Sequence, residues 1–264
     1  MKTSRPGFLL LITASALSIL AFAQTPYPAF VVVDDLPDVF IAGLPGVRAK
    51  QLAGDPRTRR SSNRVILPAD WSFTTGASPG QSIEIFVLAG QIELGGFPLH
   101  AGGYVYMPPG FTGAQLKTTD GAAILYFLDE PDSKAVIQTP IILDSDLLEW
   151  LSLDGSPNVD VKELRTDPGS GHRTWLLRST TSITNGWQQS QQTAEGYLWQ
   201  GSYVGTECVD GKIISEPYET GGYFYRPYGA IHGGADAGTE TMAIWFIRVP
   251  GSGKDTSVDG CPSA

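Results

Sequence analysis

Short apolar runs separated by turn residues dominate the pattern of hydrophobic and polar positions along this chain. Examples are the runs from Ile83 to Leu88 and from Met242 to Ile247. The 31 glycines and 19 prolines are spread throughout, so that turn signals recur about every eight to twelve residues. This spacing is typical of an all-β sandwich or barrel. Helix signals are scarce, and the best candidate lies around Asp144 to Leu151, where acidic residues occupy the first turn.

The first 23 residues follow a different pattern. Lys2 and Arg5 precede an apolar run from Phe8 to Ala21, and Ala21-Phe22-Ala23 forms an A-x-A cleavage site. A membrane anchor is the alternative, but the run is shorter than the roughly 20 residues that a spanning helix needs. The pattern therefore predicts a secretory signal peptide at residues 1–23 and a secreted or periplasmic mature protein that has no membrane partner.

The charge balance of the mature chain limits its partners. The whole sequence has 18 Lys and Arg residues, and removing Lys2 and Arg5 leaves 16 against 27 acidic residues, a formal charge of −11. Such a surface repels phosphate backbones and offers no basic patch to an anionic membrane. Nucleic acid is therefore not an expected partner, and a small molecule is.

Cys208 and Cys261 are the only cysteines. An even count in an exported chain is consistent with one disulfide that ties the C-terminal tail to the second half of the protein. Two free thiols, or intermolecular bonds, remain the alternatives.

An internal repeat organises the mature chain. Residues 103–110 (GYVYMPPG) correspond to residues 222–229 (GYFYRPYG) at an offset of 119 residues. Upstream, residues 84–90 correspond to residues 195–201 at an offset of 111, and the difference indicates an insertion around Cys208 to Glu216. The repeat predicts two homologous β domains that divide near residue 140.

One motif makes the fold more specific. Gly221, Pro227, Gly229 and His232 have the spacing G-x5-P-x-G-x2-H, which resembles the second motif of the cupins. The Gly pair would turn the chain into a strand, and Pro and Gly would shape the next turn, which delivers His232 into the mouth of the barrel. In cupins this histidine is usually a metal ligand.

The resemblance covers roughly residues 30 to 250, and it is most similar to bicupins related to the ChrR-type anti-sigma-factor cupins. It implies an all-β fold of two tandem jelly-roll (double-stranded β-helix) barrels. The expected division is a degenerate N-terminal cupin at 24–140, a C-terminal cupin at 141–250 and a polar tail at 251–264.

The first cupin motif normally supplies two histidines and a glutamate. In the second repeat Gln189 and Gln191 stand at the histidine positions and Glu195 at the acidic one. The interval from Glu195 to Gly201 is one residue shorter than in many cupins, and the alternative alignment puts Ala194 at the ligand position. The first repeat has Ser78, Gly80, Glu84 and Gly113 at the four positions, and no metal site is expected there.

The resemblance thus gives a candidate site for one divalent metal ion in the C-terminal barrel, formed by Gln189, Gln191, Glu195 and His232, and leaves open whether a metal is bound. Transition metals prefer imidazole and carboxylate to amide oxygen, whereas Mn(II) or Ca(II) tolerates amides better. A hydrogen-bonded His232 with a solvent-facing Glu195 is the structural alternative. A third reading is a metal-free pair in a pocket that moves protons near neutral pH.

Three other residues are expected to be structural. His100 precedes a strand and is expected at the surface, and His172 lies in a Gly-rich loop. Arg226 could meet an anionic substrate, but the rim of the barrel is the favoured position for it.

These observations favour an extracytoplasmic bicupin that binds a small polar ligand in its C-terminal barrel. The alternative is a cupin enzyme, an oxidoreductase such as a dioxygenase or an isomerase, acting on a small oxygenated compound. Glu195 and His232 would be its catalytic residues, with or without a divalent metal. Cupins often pair through sheet edges, so a homodimer is a further expectation, although the sequence does not determine the oligomeric state.

Overall fold

The computed structural model describes residues 30–41, 43–78, 80–153, 156–180 and 185–262. The predicted signal peptide, residues 1–23, lies outside these ranges. No helix within them has the length and apolar character needed to cross a membrane.

Strands make up nearly all of the regular structure, as the apolar pattern predicts. The first eleven are β1 (Val31–Val32), β2 (Asp38–Val39), β3 (Arg48–Asp55), β4 (Arg60–Leu67), β5 (Trp71–Thr75), β6 (Ser82–Leu94), β7 (Phe97–His100), β8 (Gly103–Met107), β9 (Ala114–Thr118), β10 (Ala122–Asp129) and β11 (Ile141–Asp144). The others are β12 (Leu151–Ser152), β13 (Val159–Thr166), β14 (Arg173–Ser179), β15 (Asn185–Gln189), β16 (Ala194–Gly201), β17 (Tyr203–Val209), β18 (Lys212–Tyr218), β19 (Gly222–Arg226), β20 (Ile231–Gly234), β21 (Ala243–Val249) and β22 (Thr256–Ser257).

Helix in the described ranges is limited to two short 3-10 segments, Val33–Asp35 and Ser145–Leu147. The helix predicted around Asp144 to Leu151 is therefore wrong beyond a single turn. The side chain of Asp144 caps this turn by accepting a hydrogen bond from the backbone N–H of Asp146 at 2.9 Å. The chain then extends into β12, at the junction of the two halves.

The first half of the chain forms a barrel of two sheets. The main sheet has the order β11-β8-β6-β10-β4-β3-β2, and the second sheet combines β5, β9 and β7 with the end of β6. Strand β6 belongs to both sheets because it turns the corner at Gly90, where φ is +77°. A Cβ atom at this position would lie 2.5 Å from the carbonyl oxygen of Gly121, so glycine is required.

The second half repeats this architecture. A sheet of order β1-β19-β16-β21-β14-β13-β12 is closed by a sheet of order β18-β17-β20-β15-β22. Gly201, the counterpart of Gly90 in the repeat, ends β16 with a φ of +87°. The all-β class predicted from the sequence is confirmed, and the sheet topology is consistent with the two predicted barrels.

The barrels exchange edge strands. β1, from the beginning of the described chain, pairs with β19 of the second barrel, where Val31 is opposite Tyr223. β11 pairs with β8 of the first barrel, where Ile141 is opposite Tyr106. Residue 141, the predicted start of the second barrel, therefore begins a strand that completes the sheet of the first.

Within the described ranges, the buried apolar residues form three clusters of different sizes. The interior of the first barrel is filled by a large cluster that includes Val65, Ile85, Val105 and Leu116. A second cluster joins the outer faces of the two main sheets, where the ring of Phe246 stacks on Phe127 with centroids 5.5 Å apart.

The interior of the second barrel holds a much smaller buried cluster, formed by Leu198, Tyr218, Phe224, Ala243 and Trp245. The second barrel is therefore the hollow one.

Candidate functional site

A cavity of about 730 Å³ occupies the interior of the C-terminal barrel. Its walls include alternate residues of β14, β19 and β21, since every second side chain of a strand faces the same side. Most of the wall is apolar, formed by Trp175, Leu177, Tyr203, Phe224, Trp245 and Ile247.

The polar part of the cavity centres on Arg226 and His232. Nε of Arg226 donates a hydrogen bond to Oε1 of Glu207 at 2.9 Å, and Nη2 lies 2.8 Å from the same oxygen in an ion pair. The guanidinium also lies 4.0 Å from the ring centroid of Phe224. Although burial opposes its charge, the carboxylate of Glu207 raises the pKa of Arg226. Arg226 is therefore a charged group that lines the cavity near His232, and its position at the rim of the barrel stays a prediction.

The cupin-like turn delivers His232 into this cavity as the sequence predicts. Gly229 adopts a φ of +85°, and its N–H donates to the carbonyl of Ser190 at 2.8 Å. The N–H of Ala230 donates to the carbonyl of Pro227 at 3.2 Å and closes the turn. Strand β20 follows at once and carries His232 as its second residue.

His232 is a mostly buried, hydrogen-bonded imidazole. Its Nε2 lies 3.2 Å from Oδ2 of Asp255, and 12% of its side chain is exposed. Burial and the positive charge of Arg226 lower the pKa of His232, so the neutral form prevails at pH 7. A neutral imidazole beside a carboxylate can donate or accept a hydrogen bond, or accept a proton from a bound molecule.

The two predicted amide ligands do not line this cavity. Nε2 of Gln189 donates to the carbonyl of Gly229 at 3.4 Å, and Nε2 of Gln191 donates to Oγ1 of Thr256 at 3.1 Å. Their neighbours Gln188 and Gln192 line the cavity instead. In β15, Gln188 rather than Gln189 faces the cavity, because successive side chains of a strand point to opposite faces of the sheet.

Glu195 lies on the other side of the sheet from the cavity. Ala194 lines the barrel cavity, whereas Glu195 faces the first barrel. Its Oε1 accepts a hydrogen bond from Nη1 of Arg248 and its Oε2 accepts one from the hydroxyl of Tyr223, both at 2.7 Å. The alternative alignment, with Ala194 at the ligand position, is the one that the structure supports.

The four predicted metal donors therefore do not converge. Only His232 lines the barrel cavity, and the oxygens of Glu195 are engaged by a cation and a hydroxyl. The described ranges contain no cluster of three or more His, Cys, Asp and Glu side chains arranged to hold an ion. This donor set does not fit a metal ion, and Glu195 and His232 do not form a joint catalytic pair.

Glu195 belongs instead to a buried ion cluster between the barrels. Arg248 donates to Glu84 at 2.7 Å, to Asp129 and to Glu195, and Arg165 also donates to Glu84. Burial alone would raise the pKa of Glu84, but the charges of Arg248 and Arg165 hold this pKa well below its usual value. No signal in the sequence marks this cluster, because its members lie far apart along the chain.

His172 adjoins the same cluster. The Asp167 carboxylate organises its loop by accepting backbone hydrogen bonds from Gly169 and Ser170 at 2.9 Å. Nε2 of His172 lies 3.6 Å from Oε1 of Glu84, and burial lowers the pKa of His172 to about 4. His172 is thus a buried neutral side chain, whereas His100 is exposed as predicted.

A second cavity, of about 480 Å³, lies beside this cluster, between the two barrels. Glu195, Arg248 and His172 are among its lining residues. Glu195 and His232 thus face different cavities.

The C-terminal tail covers the mouth of the barrel cavity. Residues 251–255 contribute to the cavity lining, and β22 pairs with β15, where Thr256 is opposite Gln189. The side-chain amide of Gln192 donates to the carbonyl of Gly253 at 2.6 Å. A disulfide joins Cys208 and Cys261, so the tail is attached by strand pairing, by side-chain hydrogen bonds and by a covalent bond.

Comparisons with known proteins identify the fold. The sequence profile of the family described as "Domain of unknown function (DUF4437)" matches residues 41–255. No curated protein matches the chain in sequence at a significant level.

Several solved structures match most of the chain. A proposed dioxygenase from Nostoc punctiforme is 23% identical, with 87% of this chain and 86% of that chain covered and a TM-score of 0.65. YlbA from E. coli is 18% identical, with coverages of 88% and 95% and a TM-score of 0.64. A variant of Bacillus subtilis oxalate decarboxylase is 11% identical, with coverages of 86% and 78% and a TM-score of 0.60.

These similarities establish the cupin fold alone, because cupin barrels host many unrelated activities. The closer resemblance to ChrR-type cupins stays a prediction.

Proposed function

Because this chain belongs to the DUF4437 family and has the cupin fold, we propose that it is an exported protein whose C-terminal barrel binds a small organic molecule. The ligand has an apolar body and one polar end. The observation that carries the proposal is the contrast between the filled first barrel and the cavity of about 730 Å³ in the second. Cavities of about 300–1,000 Å³ with apolar walls and few polar groups are typical of small-molecule sites.

The chemistry of the walls supports this ligand class. Trp175, Phe224 and Trp245 provide aromatic surface for an apolar body. Arg226 and His232 provide hydrogen bonds at the polar end, and both are held in place by carboxylates. A carboxylate, phenol or carbonyl oxygen fits this end, and the expectation of a mainly polar ligand changes to one of an amphiphilic ligand.

Ser179 is a further polar group for ligand recognition. The residue lines the cavity, and its side-chain oxygen is buried without a hydrogen-bond partner within the described chain. A buried hydroxyl without a partner costs free energy, so a ligand oxygen that reaches it gains affinity.

A second candidate function rests on the contact between His232 and Asp255. A neutral imidazole that hydrogen-bonds to a carboxylate is suited to remove a proton from a bound molecule. An isomerase that shifts a proton on a small oxygenated compound would use this pair. Catalysis of this kind requires the same cavity, so binding is the first property to establish.

Export is the part of the proposal that concerns location. The disulfide between Cys208 and Cys261 is consistent with an oxidising compartment, as is the signal-like pattern of residues 1–23. N-terminal analysis of the protein from its native host tests export: a chain that begins at Gln24 supports it, and one that retains Met1 contradicts it.

The experiment for the binding site uses a cavity-filling variant. Benzoate, 4-hydroxybenzoate, phenol and octanoate are titrated into the full chain by isothermal titration calorimetry. Ile247→Trp adds an indole to the cavity wall and is expected to weaken the best-binding probe by at least about tenfold, a change of 1.4 kcal/mol. The matched control is Ile244→Val, at a residue of the same strand that packs in the cluster between the barrels.

The binding proposal is overturned if none of the four probes shows saturable binding. It is also overturned if Ile247→Trp, shown by circular dichroism to be folded, binds the best probe as tightly as the unaltered chain does.

A further inference from the structure

The cavity between the barrels is built from both halves of the chain. One wall comes from the loop and strand around Gly54 to Ser62, and the other comes from β16, β19, β21 and His172. Among the described residues, the linings of this cavity and of the barrel cavity share Val249 alone. Its volume of about 480 Å³ lies in the range of small-molecule sites, about 300–1,000 Å³.

The charges around this cavity are balanced. Its lining includes three arginines and three carboxylates, namely Arg57, Arg60, Arg248, Asp55, Asp129 and Glu195. Each carboxylate is paired with at least one of these arginines. The exposed Arg57 forms an ion pair with Asp55, and the buried Arg248 forms ion pairs with both Asp129 and Glu195. A charged ligand would have to break one of these pairs, whereas a neutral ligand would not.

Several polar groups on the wall retain hydrogen-bonding capacity. Nε2 of His172 is buried and lacks a hydrogen-bond partner in the described chain. Tyr225 and Thr193 line the cavity, and within the described ranges neither hydroxyl has a hydrogen-bond partner. Each paired carboxylate oxygen can also accept a second hydrogen bond.

We propose that the cavity between the barrels binds a neutral polyhydroxylated molecule, a monosaccharide or a cyclic polyol. Each hydroxyl of such a ligand both donates and accepts, so it can meet carboxylate oxygens, guanidinium groups, Tyr225 and neutral His172 together without displacing an ion pair. The wall is too polar to favour an apolar ligand. Its arginine and carboxylate charges are already paired with one another, so it does not favour an ion either. This site does not depend on the proposed function of the barrel cavity.

The test uses glucose, galactose and myo-inositol, with glycine and inorganic phosphate as the charged comparison. Each is titrated into the full, disulfide-bonded chain by isothermal titration calorimetry. Tyr225→Phe removes one hydroxyl from the cavity and Thr193→Val removes another, and both changes keep nearly the same shape. Each is expected to raise the Kd of the bound polyol by about threefold to tenfold, the effect of one lost hydrogen bond.

Tyr203→Phe is the matched control, because it removes a tyrosine hydroxyl from a residue that lines the barrel cavity instead. It is expected to leave polyol binding unchanged. The proposal is overturned if no polyol binds saturably, if both Tyr225→Phe and Thr193→Val bind it as tightly as the unaltered chain, or if glycine or phosphate binds in its place.

The two proposals fail separately. Loss of polyol binding in Tyr203→Phe with full binding in Tyr225→Phe would move the polyol to the barrel cavity and overturn this inference. A chain that binds a polyol here but none of the four amphiphilic probes would leave this inference standing and overturn the proposed function of the barrel.

Discussion

Arg248 is the residue that joins the two barrels electrostatically. It extends from β21 of the second barrel to Glu84 and Asp129 of the first, and it also holds Glu195 of its own barrel. Only 4% of its side chain is exposed, so its charge is costly unless it is paired. Three carboxylates around one buried arginine, with Arg165 behind Glu84, meet this requirement.

Replacing Glu84 by Gln should destabilise the fold strongly. The change leaves Arg165 with no carboxylate partner in the described chain and removes one partner of Arg248, and an uncompensated buried charge costs about 3–5 kcal/mol. The free energy of unfolding, measured by urea denaturation, is the readout.

Glu93→Gln is the control for Glu84→Gln, because Glu93 forms an exposed pair with Lys117, worth about 1 kcal/mol at most. Equal losses in the two variants would show that the cluster has no special role in stability.

A shift of one residue along β16, which places Ala194 rather than Glu195 in the cavity, explains why the site is only partly predictable from the sequence. The spacing of Gly221, Pro227, Gly229 and His232 was sufficient to place His232 in a barrel, because it specifies a local turn. Glu195 was assigned to the same cavity, but the short interval to Gly201 puts Ala194 there and turns Glu195 outward.

Ion pairs between residues far apart along the chain cannot be predicted from this sequence. Glu84 and Arg248 are separated by 164 residues, and no local pattern marks either of them as one of a pair. His172 looked like a loop residue, and only the packing of the two barrels shows that it is buried.

At the scale of elements, the C-terminal tail lines the barrel cavity, and we predict that it limits access to this cavity. β22 adds to the sheet through β15, Asp255 contacts His232, and the disulfide holds the end of the tail to β17. Each attachment keeps residues 251–255 over the cavity. The tail was predicted from the sequence as a polar segment, and its role as a cover follows only from these contacts.

Removing the disulfide should speed up the release of a bound molecule. In the double variant Cys208→Ser with Cys261→Ser, the tail is held only by its hydrogen bonds, so the cavity opens more often. The dissociation rate of the best amphiphilic probe is expected to rise, as measured by stopped-flow tryptophan fluorescence from Trp175 and Trp245.

The double variant could release its ligand faster either because the whole fold is less stable or because the tail is loosened, and the experiment must distinguish these two causes. A disulfide across 53 residues contributes about 4 kcal/mol on the loop-entropy model. Glu84→Gln is the matched control, because it is also destabilised but keeps the tail attached. An unchanged dissociation rate in the double variant, or an equal rise in Glu84→Gln, would contradict the role of the tail as a cover.

At the scale of the whole molecule, the two repeats have diverged in what their interiors contain. The first barrel is filled by apolar side chains and supports the second through a shared interface and the exchange of β1 and β11. The second has kept the histidine turn around a hollow interior. The repeat and the fold were readable from the sequence, whereas the filling of each interior depends on side chains from many strands.

The most direct test of the account compares His232→Ala with Glu195→Gln. We predict that His232→Ala weakens binding of the best amphiphilic probe, measured by calorimetry, by about tenfold or more, because it removes a polar contact from the barrel cavity. We predict that Glu195→Gln leaves this affinity unchanged and lowers the free energy of unfolding, because Glu195 pairs with Arg248. Loss of binding in Glu195→Gln at normal stability, with full binding in His232→Ala, would contradict the account.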